Sequence, residues 1–247
     1  NLINDLFMKK NFILFCILFN FVTQNVSAKE YDYDVYGLNF RFMKIKFSNI
    51  NNSEFKTDIE SKSFLNFFYH FKGVGITQNQ PRGATYNFAY EKKDKQRSTT
   101  VIFKDLTVIQ NFSKPKRKKK NNIVPVAKKD LENVVDPLTA IQQLIFEQSN
   151  KLNCNKKQKV FDGSNVFYLQ LSQSDKDDYI INSSKLIYKK PMQKCRLTYK
   201  VVSGHEVEDE EKLNKKYVDI FYGKQNKIFF PYFLTTKSTV TLEMFLK

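Results

Sequence analysis

His70 and His205 are the only imidazoles in this 247-residue chain, so histidine-based acid–base or metal chemistry has few participants. His70 falls in an aromatic segment and reads as a packed or surface ring. No Gly-x-Ser-x-Gly elbow, His-Glu-x-x-His pair or Walker loop occurs. Gly73-Val-Gly75 is too short to cradle a phosphate. Paired carboxylates for glycoside hydrolysis stay open, because such acids meet in space and not in sequence. Asp162 is the acid to test first in that case, although its place in an Asp162-Gly163 turn gives it a backbone role. The acidic stretch His205–Glu211 lacks the spaced Asp and Gly of a calcium loop and reads as a solvated loop. No catalytic residue, metal or cofactor is expected.

Cysteine chemistry depends on the compartment, and the first residues bear on that. Met8 is followed by Lys9 and Lys10, an apolar run over Phe12–Phe19 and Phe21-Val22, and then Val26-Ser27-Ala28. This is the order of a basic region, an apolar region and a small-x-small cleavage site. The apolar run is shorter than the roughly 20 residues a spanning helix needs. The expectation is upstream read-through over residues 1–7, a start at Met8, cleavage after Ala28 and a periplasmic chain from Lys29; an uncleaved anchor is the alternative. Cys16 lies in the leader, which leaves Cys154 and Cys195. An even pair in an oxidising compartment predicts a structural disulfide. Zinc would want more Cys or His ligands, and a redox centre would carry Cys-x-x-Cys.

The formal net charge is +16, yet only five cations are arginine: Arg41, Arg82, Arg97, Arg117 and Arg196. Lysine supplies the rest, alongside abundant Asn, Ile and Phe, the drift of an AT-rich coding sequence. A protein that reads phosphates leans more on arginine, whose planar fork grips in two places. The charge therefore reads as a solvated lysine surface, with attraction to an anionic surface as the alternative. The basic run Ser113–Asn122 reads as an exposed loop, and on an exported chain nucleic-acid binding loses its premise.

The elements that must position these residues are mostly strands. Tyr31, Tyr33 and Val35 alternate, then Leu38, Phe40 and Phe42, then Met43, Ile45 and Phe47; the phase slips predict a turn or a bulge near Gly37 and another at Phe42-Met43. Further strands are expected at 54–61, 85–90, 98–104, 160–161, 166–171, 179–188, 195–202, 217–222, 227–233 and 239–246. Two segments read as helix. Over Ser63–Phe71, Phe64, Phe67, Phe68 and Phe71 share one face, as core, as a lid over an apolar cavity that binds a ligand, or as a contact with a membrane surface. Over Asp136–Lys151, Asp136 is a suitable N-cap, Pro137 fits the first helical position, and Leu138, Ile141, Leu144 and Ile145 form a stripe. The whole reads as one mainly β domain over residues 29–247, an antiparallel sandwich or curved barrel with two short helices.

The order Val135-Asp136-Pro137-Leu138-Thr139-Ala140, then Cys154, then Val160-Phe161-Asp162-Gly163, then Cys195, resembles the exported bacterial family called domain of unknown function 3108. The segment Gly73–Phe103, with Pro81, Tyr86 and Arg97, and the apolar Lys227–Pro231 are similar to its other motifs. Family members tend to carry Ser where Thr139 stands, and basic residues where Ser164-Asn165 follow the turn. The resemblance implies a periplasmic, β-rich, half-open barrel with no established enzyme activity, similar to periplasmic carriers that hold acyl chains. The expected function is non-enzymatic binding of a lipid or other amphiphile, or of an envelope protein. An enzyme acting on envelope glycan or lipid through carboxylates is the alternative. Nucleic acid is not an expected partner, and after cleavage the chain is not an integral membrane protein.

Overall fold

The computed structural model of the chain describes residues 29–51, 53–62, 70–116, 122–237 and 241–247. The leader-like segment 1–28, Phe64, Phe67 and Phe68, and residues 117–121 of the basic run lie outside them. The described residues form thirteen strands: β1 (Lys29–Gly37), β2 (Phe40–Asn51), β3 (Glu54–Ser61), β4 (Phe71–Gln80), β5 (Gly83–Lys92), β6 (Lys95–Lys104), β7 (Thr107–Lys114), β8 (Lys156–Phe161), β9 (Val166–Tyr179), β10 (Met192–Ser203), β11 (Tyr217–Gln225), β12 (Ile228–Thr236) and β13 (Leu242–Leu246). They form one antiparallel sheet in the order β7-β6-β5-β4-β3-β2-β1-β13-β12-β11-β10-β9-β8. Two meanders thus join where β1 pairs with β13. The phase slip at Phe42 is a β-bulge: Val35 faces Met43 and Tyr36 faces Arg41, so Phe42 is the extra residue.

The sheet curves but does not close into a continuous ladder. Single contacts span the gap between its outer edges, β7 and β8. Val135 forms a parallel bridge to Val160 on the β8 edge, and the neighbouring Val134 N–H donates to the Leu106 carbonyl at 2.9 Å. Asn111 Nδ2 donates to the Gly163 carbonyl at 2.8 Å.

One helix lies against the concave face. Asp136 caps it, accepting from the backbone N–H of Leu138 and of Thr139, and Pro137 opens it. Helix α1 spans Pro137–Ile141 and continues as a single π-helical turn over Gln142–Phe146. Leu138 rests on Gly75 of β4, where a Cβ would come within 3.1 Å of its methyl group. The Phe146 ring centroid lies 4.4 Å from that of Tyr31, 5.0 Å from Phe47 and 5.9 Å from Phe55. Leu144 and Ile145 are buried with Tyr33 and Tyr222. The helix therefore touches both halves of the sheet and fills the space between them.

Three local expectations are corrected. The second helix stops at Phe146 and not at Lys151, because the Lys156 ammonium takes the carbonyls of Gln143 and Glu147 and the chain then turns toward the disulfide. Of the aromatic segment, the described Phe71 is extended and opens β4 opposite Lys92, and Lys93 N–H donates to the His70 carbonyl. Of the strand expected at 179–188, only Tyr179 is in a strand. Residues 180–191 instead cross the sheet, with Leu186 buried in the core and the Tyr188 ring stacked 4.4 Å from Tyr232. That crossing needs Gly223, since a Cβ there would lie 2.7 Å from the Tyr188 ring.

Tyr33 and Tyr222 are fully buried; their hydroxyls donate to the Pro231 and Ile145 carbonyls at 2.6 and 3.3 Å. Burial pushes both phenols above the ordinary value of about 10. A phenol whose pKa is raised on folding stabilises the fold fully below its unfolded value, and that contribution is lost as pH climbs toward the folded value. Alkaline titration is therefore expected to show Tyr33 and Tyr222 ionising only as the chain unfolds. Complete phenolate absorbance with native near-ultraviolet circular dichroism would contradict it.

Candidate functional site

The residues singled out by sequence hold the framework. Cys154 and Cys195 are bonded, with Cα atoms 5.5 Å apart, which ties the segment after the helix to β10. Asp136 is buried and accepts from the Thr77 hydroxyl (2.6 Å) and the Thr139 hydroxyl (2.6 Å) besides its capping bonds. Asp162 accepts from Ser164 N–H and Asn165 N–H, both at 2.8 Å, and from Asn165 Nδ2 at 2.9 Å. Its carboxylate thus closes its own turn. Gly163 has φ +92° and a Cβ there would sit 2.4 Å from a Thr99 methyl, so glycine is required at this meeting of sheet edges. Phe71, half-buried, stacks 5.7 Å from Tyr90 at 25°.

A different set of residues forms an apolar recess. Antiparallel register places Tyr199 of β10 opposite Leu169 of β9, and Leu197 of β10 opposite Val218 of β11. These four side chains share one face of three adjacent strands. The stretch expected as a solvated loop instead folds beside them: a 3-10 turn at Val207–Asp209 leads into helix α2 (Glu210–Asn214). Asn214 Oδ1 accepts the Val201 N–H at 2.8 Å, which docks α2 on β10 and brings Leu213 to the wall. The recess is open to solvent, measures about 540 Å³, and also takes in exposed Lys216.

A tyrosine–histidine pair borders it. His205 is buried, with Nδ1 3.1 Å from the Ser203 carbonyl and Nε2 against the Tyr199 hydroxyl. A carbonyl can only accept, so Nδ1 donates to it, and Nε2 shares a second hydrogen bond with the phenol. Phe167 stacks on Tyr199 at 4.4 Å and 23°. Burial, and after it the charge of Asp162, raises the Tyr199 phenol and keeps it neutral. The arrangement can bury a hydrocarbon chain and offer a hydrogen-bonded polar pair beside it. Sequence reading had the three strands and missed the recess, because no local signal joins His205 to Tyr199.

Fold and recess together define a curved antiparallel β protein, a half-open barrel with α1 packed against its concave face. No known family profile matches the chain, and no curated protein matches it. A solved structure described as a beta-barrel-like protein of domain of unknown function DUF1849, from Brucella abortus, is similar with 9% sequence identity and a TM-score of 0.48, covering 89% of this chain and 95% of that one. Among the described residues, no helix is long and apolar enough to cross a membrane.

Proposed function

We propose that this chain is an exported, non-enzymatic envelope protein that holds the acyl chain of an amphiphile. The observation that carries the proposal is the open recess of about 540 Å³ walled by Leu169, Leu197, Val218 and Leu213. An open apolar concavity of this size is the usual setting for a hydrocarbon ligand. Burying such a chain contributes roughly 25 cal/mol per Å² before ordering costs. Lys216 stands where an anionic head would meet solvent. The periplasmic setting and the kinship with the family resembled above belong to the same proposal, supported by the leader-like segment and the motif order.

The test is titration with 11-(dansylamino)undecanoic acid. The protein has no Trp, so dansyl emission is free of indole transfer. Saturable, blue-shifted emission is expected from the native chain. Leu213→Glu, on the surface helix, and Leu197→Phe, which fills the space, are each expected to weaken binding about tenfold or more, a change of ~1.4 kcal/mol. Absence of saturable emission, or equal affinity in both folded variants, would overturn the proposal.

A further inference from the structure

Neighbouring strands of an antiparallel sheet run in opposite directions, so β1, β3, β5 and β7 finish at the end of the sheet where β2, β4 and β6 begin. Leu38 and Asn39 turn the chain there, between Gly37 and Phe40, which face each other in the register. Leu38 and Phe40 are each 74% exposed, the most exposed large apolar side chains among the described residues. Leu38 has φ +49° and Asn39 φ +66°. Asparagine and glycine adopt that left-handed backbone readily, whereas the Cβ of leucine strains it. Leu106, at the opposite end, shares the conformation, but it lines a cleft with Phe103 and Val134 and its carbonyl takes the Val134 N–H. Leu38 has no such contact in return, so neither turn geometry nor the core accounts for an apolar side chain at this tip.

Lysines surround the same end. The β5–β6 tip carries Lys92, Lys93 and Lys95, and β7 finishes at Lys114 with Lys116 beyond it; all five are exposed. On the other side of the Leu38 tip, Lys185 Nζ lies 4.5 Å from the centre of the Tyr36 ring. Exposed Lys237 follows Thr236, whose register partner Leu242 also faces Gly37. Arg41 and Lys62 beside the tip are paired with Asp34 and Glu60. The seven lysines outnumber the acids Glu91, Asp94 and Glu243 beside them. The acids of Glu206–Glu211 follow β10, so the basic rim stops short of that strand. These cations are spread over separate strands and loops. A small anion needs donors that converge on it, whereas a fluid plane of negative headgroups does not. Apolar side chains that enter the acyl region while ammonium groups stay with the phosphates are the interfacial mode of binding.

We propose that the Leu38–Phe40 tip is a membrane-docking element that inserts into an anionic phospholipid surface. Thr236 also lines the apolar recess, so the row Thr236–Leu242–Gly37 brings the recess wall next to the lipid. That link rests on the acyl-binding reading of the recess; the docking itself does not.

Flotation with phosphatidylcholine vesicles, with or without phosphatidylglycerol, tests the docking. The native chain is expected to float with the mixed vesicles, and less as salt rises. The variant L38S/F40S is expected to lose about tenfold or more in vesicle affinity. K93Q is expected to lose about fivefold at low salt. A control, I50S/L106S, removes exposed apolar side chains from the opposite end and is expected to float as the native chain does. The chain has no Trp, so F40W supplies a single indole at the tip, and its emission is expected to shift to the blue on mixed vesicles. Circular dichroism confirms that each variant is folded. Without vesicles, L38S/F40S is expected to take the dansyl acid as the native chain does, so failure of the docking and failure of the recess are read separately. No flotation of the native chain, equal binding to both vesicle types, full binding by L38S/F40S, or unshifted F40W emission overturns the inference. A dimer of the native chain that L38S/F40S abolishes, with no flotation, assigns the tip to self-contact and overturns it too.

Discussion

Asp136→Ala is expected to cost about 4 kcal/mol of stability, summing a lost helix cap with buried hydroxyl and amide groups left without an acceptor. The Asp136 carboxylate takes four hydrogen bonds: two from the first turn of α1, one from Thr139 Oγ1 and one from Thr77 Oγ1 on β4. Thr77 is fully buried, so water cannot replace the lost acceptor. The consequence reaches beyond the cap, because this one side chain fixes the helix to the concave face of the sheet. Asp136→Asn keeps one acceptor oxygen and is expected to cost less. Thr77→Val removes donor and hydroxyl together and is expected to cost roughly 1 kcal/mol. Urea unfolding with an unchanged slope measures all three. A loss under about 1 kcal/mol for Asp136→Ala would show that the helix does not depend on this anchor.

Removing the disulfide with Cys154→Ala and Cys195→Ala is expected to have a similar effect. The bond closes a loop of sequence separation 41, which constrains the unfolded chain by about 4 kcal/mol in the chain-entropy treatment. At this chain length each 1 kcal/mol shifts the midpoint temperature by about 2–4 °C, so a fall of about 10 °C or more is expected. The loop contains the β8–β9 hairpin, whose tip reaches the opposite sheet edge through Asn111 and Gly163. Weakening should therefore show first at the seam, as faster amide exchange at Phe161, whose N–H bonds to Val135 across it, than at β1 or β11. Reduction of the native chain should reproduce the double variant. Matching urea midpoints for oxidised and reduced protein would refute the entropic role.

Legibility followed the range of the interaction. Strand β3 was readable residue for residue, because alternation over Glu54–Ser61 is a local property. The irregularity at Phe42 was readable because an extra residue shifts the apolar phase at that point, and the register made it a bulge and not a turn. By contrast, β7 went unseen. Its hairpin turns at Asp105-Leu106, both with positive φ and neither a glycine, and its exposed Ile109 and Phe112 break the alternation. The 180–191 crossing was misread as a strand because Leu186 and Tyr188 are buried by distant partners, not by strand neighbours.

The amino-acid sequence alone determined the β class, the cap at Asp136, the tight turn at Asp162-Gly163 and the pairing of two cysteines, since each follows from local backbone preference or from residue supply. Only the tertiary structure decided that a helix fills the curved sheet, that His205 meets Tyr199, that Leu169, Leu197 and Val218 wall one recess, and that Leu38 and Phe40 are left exposed at a hairpin tip. Those outcomes rest on strand register and on contacts between residues far apart in the chain, and periodicity within a segment carries no information about which segment will lie beside it.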